Sequence, residues 1–540
     1  MSDVSRLDGL EQVRSINMLT STQYKRRKVD EQNIHEQQQD EKILEYIKNA
    51  QVEDLKPEQY DLEWLENLSK QLKLAIKENS SVHSEVHLNE LIKQISNITL
   101  AELPLYNDFI RLNQDSFQEL ISHPNHDIIN QFIKVFNDLI DSEYEDDQSE
   151  LLKYLSQHQI INFLSNYLSE ISSTVTTLDQ QQQQQLQDIQ DVQITILTIF
   201  NELTNYEDTN LKNDLIKQDD FIQFLINTIR QVRKIDEITY YRELINDYLY
   251  KLSSWDPIRF ISKHGFYIEV MLIQLSFFTN QEPEDGSTQE NFIETGIQIL
   301  SNLVSNKSGR ELFLTNEGFE LLLILIKNGD WGFKTFIKIS NYLIESINDS
   351  NNVDLSSLII DSNYFLNHVF KNLNKFKNDR DVIYQILKIL VKLIIFLPFN
   401  SDQRIRLINK LINKNYKSLN VILKIETKYD QNVSKLDIKA SESNDTVYSF
   451  DELYIDKIEN GLDILQQISI FKSWLLIEDD KLKNDMIHMK YFNLDKLRNI
   501  LTGYKDELKF NIENTTNQDL KNEFFEYTTM INELLANLYT

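Results

Sequence analysis

The chain has no cysteine, so no disulfide, thiolate metal site or thiol nucleophile is available to it. Gly and Pro are scarce as well: 10 and 6 in 540 residues, about 3% together where roughly 12% is ordinary. Sheets joined by tight turns draw on those two residues, so their scarcity argues against a mainly β protein and favours long helices. Long apolar runs are missing too. The most apolar stretch, Ile386 to Phe399, is interrupted by Lys388 and Lys392 and falls short of the roughly 20 residues that cross a bilayer. It reads as a buried helix. The first residues, MSDVSRLDGLEQVRS, lack the apolar core of a signal peptide, which predicts a chain that stays on the reducing side of the cell.

The motifs of catalysis are absent as well. There is no G-x-x-x-x-G-K-[ST], no G-x-G-x-x-G and no G-x-S-x-G, hence no phosphate cradle and no nucleophile elbow. Nine histidines are spread along the chain, and two groupings stand out. His83 and His87 lie four apart without the glutamate of the H-E-x-x-H zinc motif, and His123-Pro124-Asn125-His126 reads as a turn between helices. A solvated or capping role outweighs a metal site for both. The run Glu143 to Asp147 lacks the spaced ligands and central Gly of a calcium loop and reads as a solvated loop. The expectation is a non-enzyme with no catalytic residue, no metal site and no cofactor.

What is present is 41% apolar and 26% charged residues, a globular composition, and a net charge of −29. Such acidity disfavours direct binding to nucleic acid, which draws on Lys and Arg to neutralise phosphates, and favours basic peptides as partners. The plainer alternative is that acidity only keeps a large protein soluble. A membrane is not expected as a partner.

Residues 1–40 carry no apolar period and hold one dense cationic cluster, Lys25-Arg26-Arg27-Lys28, so they read as a disordered tail with a candidate nuclear-localisation signal. From 41 onward apolar residues recur at helical spacing, as at Leu62, Leu65, Leu68, Leu72 and Ile76, and 41–100 reads as an N-terminal helical cap. In 101–427 two features repeat. One is a strongly apolar helix opening with a polar residue or Gly and a large apolar one: Ser116-Phe117, Gln159-Ile160, Asp220-Phe221, Gly265-Phe266, Gly318-Phe319 and Asn363-Tyr364. The other is a closing helix in which Leu139, Leu203, Leu252, Leu303, Leu343 and Leu393 are equivalent, at steps of 64, 49, 51, 40 and 50. Armadillo and HEAT repeats run about 40 to 47 residues, and the longest step contains the Gln-rich insertion 172–191.

A helical hairpin with one apolar face cannot bury it alone, so successive units stack. The reading is an all-α, armadillo/HEAT-like solenoid of roughly six to nine hairpins; its rival is a globular bundle of unrelated helices. Residues 428–451 read as an acidic, polar loop and 452–540 as a C-terminal helical cap. The four Trp, at 64, 255, 331 and 474, share no repeat position, so the Trp and Asn ladder with which import receptors of this architecture hold basic peptides is missing.

Several segments resemble the beta-catenin-like family of nuclear armadillo proteins associated with the spliceosome. They are Ser84 to Ile92, Leu103-Pro104-Leu105-Tyr106, Leu120 to Ile128 with its His-x-Asn-x-Asp turn, Asp138 to Asp141, Ser305-Asn306, Arg310 to Leu314, Glu317 to Leu321, Arg404 to Lys410 and Asn460 to Ile468. They fall in the family's order over most of residues 60 to 540. The Gln-rich insertion, the lack of cysteine and the stretch from about Gln231 to Phe260 depart from its pattern. The resemblance implies a nuclear scaffold that joins the Prp-nineteen-related (NineTeen) complex and binds basic nuclear-localisation segments of splicing proteins, a Myb-type component among them. The runner-up is an importin-alpha-like adaptor for basic cargo. The residues that would contact such a peptide are not identified by any short motif, and a homodimer is left open.

Overall fold

The computed structural model describes residues 62–539 except 79–81, 100–105, 141–150, 152–153, 156–159, 176–182, 328, 345–362, 443–449, 479 and 516–517. The chain divides into two units, Met1–Lys70 and Gln71–Thr540. Helix α1 (Leu62–Lys77) runs across that division. Its buried face is Leu65, Leu68, Leu72 and Ala75, whereas Leu62, expected on that face, is 46% exposed. The basic cluster Lys25 to Lys28, the acidic run Glu143 to Asp147 and the start of the N-terminal cap at 41 lie outside the described residues.

The second unit continues with α2 (Val82–Thr99), α3 (Tyr106–Ile121), α4 (His126–Ile140), α5 (Ile160–Val175) and α6 (Gln183–Leu203). Three units of three helices come next: α7 (Thr209–Ile216), α8 (Asp219–Arg230) and α9 (Tyr240–Trp255); α10 (Pro257–His264), α11 (Tyr267–Ser276) and α12 (Thr288–Val304); α13 (Lys307–Thr315), α14 (Gly318–Leu325) and α15 (Gly329–Leu343). After them come α16 (Asn363–Lys375), α17 (Arg380–Phe396), α18 (Asp402–Glu442), α19 (Phe450–Glu459), α20 (Leu462–Glu478), α21 (Asp480–Ile487), α22 (Leu494–Asn514) and α23 (Gln518–Tyr539). No strand occurs among the described residues. The expected hairpins are thus, between Thr209 and Leu343, triplets, which is the armadillo rather than the HEAT pattern.

One stack organises these helices. Each closing helix packs on the next, α2 on α4, α4 on α6, and so on through α9, α12, α15 and α17 to α20. The six equivalent leucines sit on successive members of this ladder, and all six are buried. The apolar pairs that open the middle helices serve the same stack. Phe221 of α8 packs on Phe200 of α6 with ring centroids 4.8 Å apart, and Phe336 of α15 is met by Phe319 from α14 and Phe365 from α16. Ser116-Phe117 is different: it lies inside α3 and opens no helix.

Polar caps set where the helices begin. Asp208 accepts the Leu211 amide, Asp256 that of Arg259 with Pro257 in the first turn, Ser287 that of Glu290, and Asp379 that of Val382. Each satisfies a donor that helix geometry leaves without a partner.

Beyond α17 the stack changes character. Helix α20 is buried on nearly all sides, packed by α17, α18, α19, α21, α22 and α23. Arg404, 1% exposed, ties the group together, donating to both oxygens of Glu478 and to the carbonyls of Ile394 and Leu397. The reading of 428–451 as a loop fails over 428–442, where α18 continues because Tyr429 and Val433 are buried there. Helix α18 is itself interrupted at Asn415 and Tyr416, both left-handed with φ near 57°, at 56° and 58°. The Gln-rich insertion 172–191 is helical at both its ends: 172–175 close α5, and α6 begins at Gln183.

Candidate functional site: the face of the helix ladder

With the six leucines aligned, the open side of the ladder can be followed by register. Nine residues before each leucine stand Asn130, Ile194, Glu243, Glu294, Lys334 and Tyr384; five before stand Lys134, Thr198, Asp247, Gln298, Lys338 and Lys388. All twelve are half-buried or exposed, so these two rows face outward along the stack. Their charge is not uniform. The middle of the ladder, α9 and α12, is acidic, and the next two helices present lysine.

The acidic patch is built across the α9–α12 interface and its neighbour. Asn291 of α12 donates to Glu243 at 2.9 Å, and Thr295 donates to Asp247 at 3.2 Å. Trp331 Nε1 of α15 donates to Glu294 at 2.8 Å. Neutral donors orient all three carboxylates and leave their charge in place. Burial pushes the Glu243 and Asp247 carboxyls above their ordinary range, for Glu243 against Asn291 and Thr288 and for Asp247 against Thr295 and the Lys251 ammonium. Across the ladder, burial pulls Lys338 below the ordinary lysine range, and Glu294 opposes that shift. Glu243 and Asp247 are thus under-solvated, so a cation brought to them would stabilise the charged form.

Beneath the patch the helices interlock. Asn246, fully buried, donates to the Phe292 carbonyl at 2.9 Å and accepts from Tyr267 at 2.9 Å. Asn201 donates to the Leu244 carbonyl, and Asn341 to the Gln385 side chain. These ladder asparagines join one helix to the next. Trp255 lies under Lys212, and Trp474 lies near Arg404 in the C-terminal group. The Trp positions therefore share no register.

His83 and His87 are exposed on α2. His123 and His126 flank a capped turn: the Asn125 amide donates to His123 Nδ1 at 3.0 Å, and Asn125 Oδ1 accepts the Asp127 amide at 2.9 Å. No group of three or more His, Cys, Asp or Glu that could hold a metal ion occurs among the described residues, and none of their helices is long and apolar enough to cross a membrane. The sequence reading named no contact residue. Glu243, Asp247 and Glu294 become visible only once the leucines supply a register.

A stack of three-helix units with one continuous outward face defines an armadillo-type repeat protein, a class that works by holding other proteins. The chain belongs to the family described as "Catenin-beta-like, Arm-motif containing nuclear", whose model matches residues 41–502. It is 22% identical over 454 residues to the Beta-catenin-like protein 1 homolog of Schizosaccharomyces pombe, covering 82% of this chain and 76% of that protein. Among solved structures it is similar to a chain from a study of a phosphorylation switch controlling the interaction between cadherin and beta-catenin, with TM-score 0.48, 12% identity and coverage of 88% and 86%. It is also similar to SYS-1, with TM-score 0.46, 12% identity and coverage of 88% and 93%.

Proposed function

We propose that this protein is a nuclear scaffold that captures Lys/Arg-rich segments of splicing proteins on the middle of its helix ladder. The observation that carries the reading is the set of three carboxylates, Glu243, Asp247 and Glu294, on adjacent ladder helices and held by neutral donors. Partly desolvated acids beside apolar surface attract a basic segment and speed its capture, while the neighbouring polar and apolar contacts decide which segment stays. The nuclear and splicing assignments rest on the family: its description names nuclear proteins, and the sequence resemblance points to the spliceosome.

Fluorescence anisotropy with a labelled Lys/Arg-rich peptide tests the capture. Affinity should fall as salt rises from about 50 to about 500 mM without vanishing, and the Glu243→Gln/Asp247→Asn/Glu294→Gln variant should bind about tenfold more weakly. Affinity unchanged in that variant sinks the reading. Affinity purification from nuclear extract separates a splicing scaffold, which brings down splicing factors, from an import adaptor, which brings down import receptors and varied cargo.

For localisation, we assign import to Lys25, Arg26, Arg27 and Lys28. The tail fused to a reporter should accumulate in the nucleus and lose that accumulation when the four become Ala. Equal nuclear signal from both fusions removes the assignment.

A further inference from the structure

The protein is acidic as a whole and basic in one band. Between Asn367 and Lys428 it has 13 Lys and Arg against 4 Asp and Glu, so this stretch is +9 and the rest of the chain −38. No Asp or Glu occurs from Ser362 to Asn378 or from Gln403 to Ile425. The stretch forms α16, α17 and the first part of α18, and α16 packs on α18.

Some of these cations have structural work. Arg404 is spent on Glu478, and Lys392, also buried, donates to the Asn341 carbonyl at 2.7 Å. Lys375 pairs with Asp330, and Arg380 with Asp463. Two others donate to neutral groups. Lys410 donates to Asn367, and Lys428 donates to the Lys377 carbonyl at 3.1 Å and to Asn378 Oδ1 at 3.0 Å. Lys371, Lys377, Lys417 and Lys424 are exposed. On α18 beyond its break, Lys417, Lys424 and Lys428 recur at intervals of seven and four, which places them on one helix face, beside the end of α16. The field there is positive: His368 is held below the ordinary histidine range by burial first and then by Lys371 and Lys327.

We propose that the face formed by α16, the turn after it and α18, carrying Lys371, Lys377, Lys410, Lys417, Lys424 and Lys428, is a second docking surface, opposite in charge to the ladder patch, and that it takes an Asp/Glu-rich peptide segment of a partner protein. A short acidic segment fits within the band. A long polyphosphate extends past it into the −38 remainder of the chain, beyond the roughly 8 Å over which physiological salt lets charges act. The rings beside these lysines are not free to stack on bases: the Tyr429 ring is buried, and Phe376 is stacked on Phe333 with centroids 5.7 Å apart. Lysines, as point charges on mobile stems, accept carboxylates without a fixed register.

The test uses the full chain with five probes: a labelled Asp/Glu-rich peptide, a Lys/Arg-rich peptide, a neutral control peptide and a single-stranded RNA of matched length, each followed by anisotropy, and phosphatidylserine vesicles followed by co-sedimentation. The acidic peptide should bind, and Lys371→Glu/Lys377→Glu/Lys417→Glu should weaken it about tenfold or more. The corresponding Gln variant should fall between. Unchanged affinity for the basic peptide in both variants shows that the fold is intact. Acidic-peptide binding that is no tighter than that of a neutral control, or that ignores the three substitutions, overturns the proposal; so does RNA or vesicle binding that exceeds it and depends on the same lysines. Loss of basic-peptide binding in the wild type, with acidic-peptide binding still following the lysines, strikes the ladder reading and leaves this one standing.

Discussion

Lys472 and Glu426 are an ion pair removed from water almost completely. The ammonium donates to both carboxylate oxygens, at 2.7 and 2.8 Å, with the two side chains 0% and 5% exposed. Burial pulls the Lys472 ammonium below the ordinary lysine range, and Glu426 opposes that. Two opposed effects of this kind leave little net stabilisation, but each partner is costly without the other. Lys472→Ala should therefore destabilise the protein by about 3–5 kcal/mol, whereas Lys472→Met combined with Glu426→Leu should be close to neutral. Urea midpoints of Lys472→Ala, of the singles Lys472→Met and Glu426→Leu, and of their double measure this. Additive losses in the cycle would show that the pair is not coupled.

At the scale of elements, the ladder was legible because the equivalent leucines are all buried on stacked helices. The segments that resemble the beta-catenin-like family mark junctions. Arg310 donates to the Val304 and Ser305 carbonyls, Gly318 lies where a Cβ would meet the Phe313 ring at 2.5 Å, and Gly461, at φ 101°, has the Tyr429 ring 2.2 Å from such a Cβ. These are positions where the chain turns tightly, so short local patterns reveal them. The three-helix grouping was harder to see, because α7, α10 and α13 have only 8 or 9 residues, about two turns, too short for an apolar period to be told apart from its surroundings. The polar stretch after 428 misled for a different reason: two buried residues, Tyr429 and Val433, suffice to hold a helix against its neighbours there. Glycine at the α12–α13 junction gives a direct test of how closely the elements fit. A Cβ on Gly309 would lie 2.0 Å from the Leu303 carbonyl oxygen, while Gly503, on α22, has nothing within 4 Å. Gly309→Ala should cost about 1–3 kcal/mol, and Gly503→Ala should gain about 0.5–1 kcal/mol from helix propensity. Thermal unfolding of both variants checks the opposite signs; a shared sign would contradict the junction geometry.

Across the whole molecule, a net charge of −29 concealed how charge is distributed. Composition pointed to basic partners but not to the place where they bind, because Glu243 and Asp247 on one helix are joined by Glu294, about fifty residues on, only through stacking of the next ladder helix. That arrangement carries a pH signature. Burial raises the Glu243 and Asp247 carboxyls in the free protein, so the folded state holds their protons more tightly than the unfolded chain, where such groups titrate near about 4. Their contribution to stability is complete below the unfolded values and is lost as pH rises through the raised folded ones. A basic segment reverses the balance, since it needs the charged form and pulls both groups back down. Binding should therefore release protons, and peptide affinity should fall as pH drops through the raised range, above the pH at which exposed carboxylates lose their charge. Anisotropy titrations from about pH 7.5 to about 4.5, repeated with Glu243→Gln/Asp247→Asn, measure it. The wild type should lose affinity on the acid side while the variant binds weakly and nearly evenly; a variant that keeps the full pH dependence would move the capture site away from α9 and α12.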